Sequence, residues 1–123
     1  MSAKNCAMAD CIFCGIVSGE VPAKVVGRGD GVLAFTDLNP QAPLHVQVIP
    51  TTHRRDASVL DAEDGAMLAA MVQLAREVVE AAGYDPETRG YRLVLNVGPD
   101  SLSTVPHLHC HVLAGRTFGW PPG

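Results

Sequence analysis

Three histidines stand at alternating positions, His107, His109 and His111, in the run HLHCH. The chain has five histidines in all, so most of its imidazole is gathered in this one stretch. On a strand, side chains two apart share a face, and Leu108, Cys110 and Val112 then turn the other way into apolar packing. A single strand histidine is usually a satisfied polar residue; three in a row are too costly to leave unpaired without a use. One use is metal binding by neutral imidazole. Alternate strand residues lie about 6.5–7 Å apart, so one ion reaches two of the three unless the strand bends sharply. The other use makes one imidazole a nucleophile, with its neighbours binding charge and fixing its tautomer. Histidine attacks phosphorus well near neutral pH because much of it is unprotonated. The second use fits the row better.

The elements that must position this row can be read along the chain. DCIFCGIVSG predicts a short helix capped by Asp10 and ended by Gly19, with Ile12, Phe13 and Ile16 on one apolar face. Three β-type runs follow: KVVGR, GVLAFTD and LHVQVIP, the first two joined by the hairpin signal RGDG (28–31) and the last two by the loop NPQAP (39–43). A long helix is expected next, with Ser58 and Asp61 as a capping box. Its apolar stripe is Leu60, Met67, Leu68, Met71, Leu74, Ala75, Val78 and Val79, and Gly83 lies just past its end. YRLVLN (91–96) and HLHCHVLA (107–114) read as two last strands. The order predicts an α+β domain, an antiparallel sheet with one long helix on a face.

Composition sets the class. With 123 residues, 47% of them hydrophobic, the chain can close one core. It has neither the roughly eighteen consecutive apolar residues of a membrane span nor a secretory signal, which points to a soluble, cytoplasmic protein with no membrane partner. Net charge is −4, and the longest basic run, HRR at His53 to Arg55, is too short for a nucleic-acid footprint and reads as a solvated loop. Cys6, Cys11, Cys14 and Cys110 are expected as thiols or metal ligands, with Cys110 a small core residue.

The chain resembles the histidine triad (HIT) superfamily, whose signature is His-x-His-x-His followed by two hydrophobic residues. CIFCGIVSGEVPAKVV, VLAFTDLNPQAPLHVQVIP, YRLVLNVGPD and HLHCHVLAGRTFGWPPG together resemble its histidine triad nucleotide-binding (Hint) branch, to which the WPPG ending is specific. The resemblance covers residues 11–123 as a HIT domain after an N-terminal extension, 1–10. It implies a HIT-like fold: a five-stranded antiparallel sheet, one long helix and a short N-terminal helix. It also implies a purine nucleoside phosphoramidase, adenosine 5'-monophosphoramidase-like, cleaving the P–N bond of phosphoramidates, or acting on acyl-adenylates, through a nucleotidyl-histidine intermediate. On this likeness His109 is the nucleophile, His111 contacts phosphate oxygens and the leaving group, and His107 and His45 flank them. Asp37 would hold the ribose hydroxyls, Asn96 and Ser103 lie by the phosphate, and Thr104 would assist the leaving group. Ile12, Phe13, Ile16, Phe35 and Leu38 match the apolar slot for the base of AMP or GMP. The usual Gly-Gly-Gln-Ser before the triad is here Ser101-Leu102-Ser103-Thr104, which removes a glutamine contact.

Cys11-x-x-Cys14 has metal-ligand spacing but as a lone pair is weak evidence. The resemblance adds that some bacterial relatives bind structural zinc through both cysteines, the first triad histidine and a histidine past the Ile-Pro strand end. Here those histidines are His107 and His53. The plainer reading is two buried thiols beside a surface histidine. No cofactor is implied for catalysis, and a homodimer joined sheet edge to sheet edge is, with Trp120 reaching toward the partner's site. Two other functions fit the same signature: a purine nucleotide-binding regulatory module with little turnover, and a dinucleoside polyphosphate hydrolase, against which the WPPG ending argues.

Overall fold

The computed structural model describes residues 10–123. The expected 1–10 extension, Cys6 included, thus lies outside the described residues except for Asp10. Helix α1 (Ile12–Ser18) is followed by β1 (Val25–Gly29), β2 (Val32–Thr36) and β3 (Leu44–Pro50). Then come helix α2 (Gly65–Ala81), β4 (Arg92–Val94) and β5 (Cys110–Ala114). The five strands form one sheet in the order β1-β2-β3-β5-β4, and every neighbouring pair is antiparallel. The hairpin between β1 and β2 turns on Asp30-Gly31, where Gly31 takes a φ of 72° that costs glycine little.

Strand alternation divides the core in two. Val32, Ala34, Val46, Val48, Cys110, Val112 and Ala114 face α2, which lays Met71, Leu74, Ala75, Val78 and Val79 against them. Leu33, Phe35 and Ile49 face the other way and pack with Cys11, Phe13, Cys14 and Ile16 of the α1 region. Each fully buried aliphatic or aromatic side chain contributes roughly 1.5–3 kcal/mol, so both layers hold the sheet. The α2 layer is the larger.

Several sequence expectations are corrected. Cys11, not Asp10, caps α1: its Sγ accepts from Cys14 N at 3.3 Å, while Gly19 ends the helix at φ 89° as expected. Ile12 does not share the buried face with Phe13 and Ile16; it is 52% exposed. Cys14 takes that face instead. The long helix starts at Gly65, later than the Ser58/Asp61 reading. Asp61 and Asp64 form their capping box on a separate 3-10 turn, Ala62–Asp64, and Ser58 sits in another, Ala57–Val59.

The last two strands are shorter than expected. Leu108 N donates to Arg54 O at 2.6 Å, and the His107 ring occupies the carbonyl of Pro50, so the β3–β5 ladder begins only at Val48 opposite Cys110. The β4–β5 ladder ends at Val94 opposite His111.

Candidate functional site

The histidines are shared between two clusters rather than standing as one row. In the first, His107 is fully buried and His53 is 8% exposed, with Cys11 and Cys14 beside them. Cys11 and Cys14 come from the start of α1, His53 from the segment after β3, and His107 from the segment before β5. His107 Nε2–H donates to Pro50 O at 3.0 Å, which leaves Nδ1 turned toward Cys11 Sγ at 3.2 Å and Cys14 Sγ at 3.7 Å. His53 Nδ1 lies 3.3 Å from Cys14 Sγ. All four potential ligand atoms fall within 4.8 Å of one another.

This donor set fits a tetrahedral ion. Zn–S and Zn–N bonds of about 2.3 and 2.0–2.1 Å place ligand atoms roughly 3.3–3.8 Å apart, close to the sulfur–nitrogen separations of 3.2, 3.3 and 3.7 Å here. Burial pushes the His107 pKa down to about 4 and so keeps the imidazole in its neutral, ligating form. Burial also raises the Cys11 thiol, a preference that a divalent cation reverses. Bound zinc would supply a cross-link between α1 and the sheet. The surface-histidine alternative does not hold, since His53 is buried. HRR is a loop after β3 but only partly solvated: Arg55 is exposed, whereas Arg54 pairs with Asp64 at 2.6 Å and donates to Val59 O at 2.9 Å.

The second cluster begins at His109. Its Nδ1–H donates to the His107 carbonyl at 2.7 Å, so the lone pair is on Nε2. Phe13 meets this ring edge-on, 5.3 Å between centroids, and the His111 ring is 5.1 Å away. The tautomer of His111 follows from a chain of donors. Gln41 N–H donates to His45 Nδ1 at 3.0 Å, so His45 carries its proton on Nε2. That proton points at His111 Nδ1, 2.9 Å away, and His111 must then carry its own on Nε2. Asp37 Oδ2 lies 3.3 Å from His45 Nε2 and 3.8 Å from His111 Nδ1. Burial lowers the pKa of both His45 and His111, partly offset by the Asp37 charge. The arrangement offers a bare ring nitrogen beside a neutral N–H donor. It suits a nucleophile next to a group that binds anionic oxygen.

The remaining residues expected at the site are more dispersed. Phe13, Ile16 and Phe35 are buried, with Phe13 and Phe35 5.3 Å apart edge to face, whereas Leu38 is fully exposed. Asn96 is half-buried just past β4, two residues beyond the Val94–His111 pair. Ser103 is half-buried and Thr104 exposed on the loop before His107. In that loop Leu102 adopts a left-handed conformation, φ 65°, which costs a non-glycine residue roughly 1–2 kcal/mol. Glycine would take this conformation at less cost. Cys110 is a core residue as expected, 5% exposed. Sequence reasoning missed Gln47, which donates from Nε2 to Asp37 Oδ2 at 2.9 Å, and the Gln41 backbone N–H. Only Gln47 left a signal, a polar residue two past His45 on the same strand face.

Comparisons with known proteins agree with this architecture. Residues 18–118 match the HIT domain family. An uncharacterized HIT-like protein of Synechocystis sp. is 44% identical over 114 residues, 93% of this chain and 97% of its own length. A 14 kDa zinc-binding protein of Brassica juncea is 38% identical, over 93% of this chain and 100% of its own length. Among solved structures, a HIT family hydrolase from Legionella pneumophila superposes with a TM-score of 0.87 at 40% identity, covering 93% of this chain and 100% of that one. With a HIT domain match over residues 18–118, relatives 38–44% identical along 93% of its length, and the five-stranded sheet and long helix described above, the chain belongs to the HIT domain family.

Proposed function

We propose that this protein is a Hint-type nucleotidyl hydrolase that cleaves the P–N bond of purine nucleoside phosphoramidates and also accepts acyl-adenylates. The observation that carries the reading is the 2.7 Å bond from His109 Nδ1 to the His107 carbonyl, which leaves Nε2 as a nucleophile. In this reading Nε2 bonds to the α-phosphorus as the P–N bond to the leaving amine breaks. The amine departs with a proton relayed from solvent through the Thr104 hydroxyl. His111 Nε2–H, with Asn96 and Ser103, bonds the phosphate oxygens, and a donor of this kind contributes most when charge develops there. Water then cleaves the nucleotidyl-histidine and releases the nucleoside monophosphate, its remaining proton returning to solvent. Asp37 holds the ribose, and Ile12, Phe13, Ile16, Phe35 and Leu38 border the base. The hydrolase name of the Legionella pneumophila relative supports a hydrolytic outcome.

Zinc in this reading is structural, held by Cys11, Cys14, His53 and His107, and no catalytic step uses it. The zinc-binding name of the Brassica juncea relative and the closeness of the four ligands support it. A cytoplasmic homodimer completes the proposal.

His109→Ala tests the function directly. Hydrolysis of adenosine phosphoramidate should fall by at least roughly a hundredfold while AMP still binds, since only the attacking atom is lost. Residual turnover above about a tenth of wild type would overturn the covalent role. AMP binding without turnover in the wild type would favour a regulatory module.

A further inference from the structure

Gln47 belongs to the row of β3 that carries His45 toward the site, and its cross-strand neighbours are Phe35 and His111. Its Nε2–H donates to Asp37 Oδ2 at 2.9 Å. The amide can face this way only, because a carboxylate offers nothing but acceptors. The other end, Oε1, is buried and bonds to no protein group. An amide that leaves its acceptor buried and unpaired is a poor stabiliser, and an apolar chain of equal length would suit the packing better. The use of this side chain lies in its N–H.

That N–H meets a carboxylate with two claims on it. Asp37 Oδ2 is 3.3 Å from His45 Nε2, the same nitrogen whose proton is directed at His111 Nδ1, 2.9 Å away. A charged oxygen outcompetes a neutral imidazole for a proton donor when its lone pairs are not otherwise engaged. Here one lone pair of each oxygen is already used, which weakens that pull and leaves the others for ribose hydroxyls: Gln47 bonds Oδ2, and Asn39 N–H bonds Oδ1 at 2.8 Å. We propose that Gln47 is a positioning residue that keeps Asp37 from capturing the His45 ring proton, so that His45 continues to donate to His111 and His111 keeps its own proton on Nε2. The inference rests on the proposed reaction only for its kinetic consequence; the hydrogen-bond assignment concerns the free protein.

Long-range proton–nitrogen correlation spectra of 15N-histidine-labelled protein, without ligand, test it. The wild type should show His45 and His111 each as a single Nε2–H tautomer. Gln47→Met keeps the length and removes the N–H; in it, His111 should average between tautomers, its two ring-nitrogen shifts moving toward one another. Adding Asp37→Asn to Gln47→Met removes the competing charge and should restore the single tautomer. Gln47→Leu serves the same purpose if Gln47→Met does not fold. With adenosine phosphoramidate, Gln47→Met should lower kcat about tenfold with KM changed less than about threefold, a split that general loosening of the fold does not produce. A single Nε2–H tautomer of His111 in the soluble Gln47 variants overturns the proposal, whatever turnover shows. A tautomer that shifts as described in a protein whose wild type hydrolyses no phosphoramidate supports the positioning role and removes the proposed reaction instead.

Discussion

His45 and His111 are held neutral chiefly by burial, with the Asp37 charge only partly opposing it. A histidine whose folded pKa lies below its unfolded value binds protons more readily when unfolded. Its contribution to stability is therefore complete above the unfolded pKa of about 6.5 and is lost as pH falls below it. Urea unfolding between pH 8 and pH 5 should show stability level above about pH 7 and declining below about 6.5. In His45→Asn the decline should be shallower, because one of the contributing groups is gone; an unchanged slope would assign the acid sensitivity elsewhere. At this scale the sequence was legible where a residue type has one main use. His109 and Cys110 fall where alternation puts them, but the partners of His107 do not, since a ring that reaches Cys11 from 96 positions away leaves no local trace. The partner of Gln47 was hidden for a similar reason: its place on the His45 face could be read, but nothing in LHVQVIP tells that its amide meets the carboxylate of Asp37.

Among the elements, β3 was legible to the residue, and the hairpin turn fell on its Asp-Gly signal, because strand alternation and turn chemistry are local. The start of α2 and the length of β5 were not, because they depend on a 3-10 turn stopped by Asp61–Asp64 and on a ring that occupies the Pro50 carbonyl. Helix α1 is the element most dependent on a tertiary tie. It has seven residues, too few to persist alone, and buries only Phe13, Cys14 and Ile16. If zinc joins Cys11 and Cys14 to His53 and His107, elemental analysis of untagged protein should give about one zinc per chain. Cys14→Ser should lose the metal and about 2–4 kcal/mol of stability, a fall in Tm of roughly 8–16 °C for a domain of this size. Protein that is metal-free as isolated and whose Tm is unmoved by the substitution would leave α1 held by Phe13 and Ile16 alone.

The whole molecule ends its sheet in two unlike edges. β1 has a bulge between Val25 and Gly27, carries Arg28 and is preceded by Lys24, features that discourage pairing with another chain. β4 has a neighbour on one side only, and past its end Leu95 and Val97 are 39% and 40% exposed. The C-terminal tail is tied to this same edge, since Arg92 Nη2–H donates to Gly119 O at 3.1 Å, and Trp120 beside it is 84% exposed. An edge with apolar residues and an exposed tryptophan suits a two-fold partner that presents the same strand in return, since a closed dimer uses one patch twice. Sedimentation should then give a mass near twice the chain's 13.0 kDa. Leu95→Arg puts like charges across the two-fold axis and should shift the protein toward the single-chain mass at equal concentration. Trp120 is the only tryptophan in the chain, so its emission reports this edge alone. It should move to longer wavelength in Leu95→Arg as the ring loses the partner's cover. A wild-type protein that sediments as one chain at micromolar concentration, with emission unchanged by the substitution, would mean that β4 stays an open edge and that each chain carries a complete site of its own.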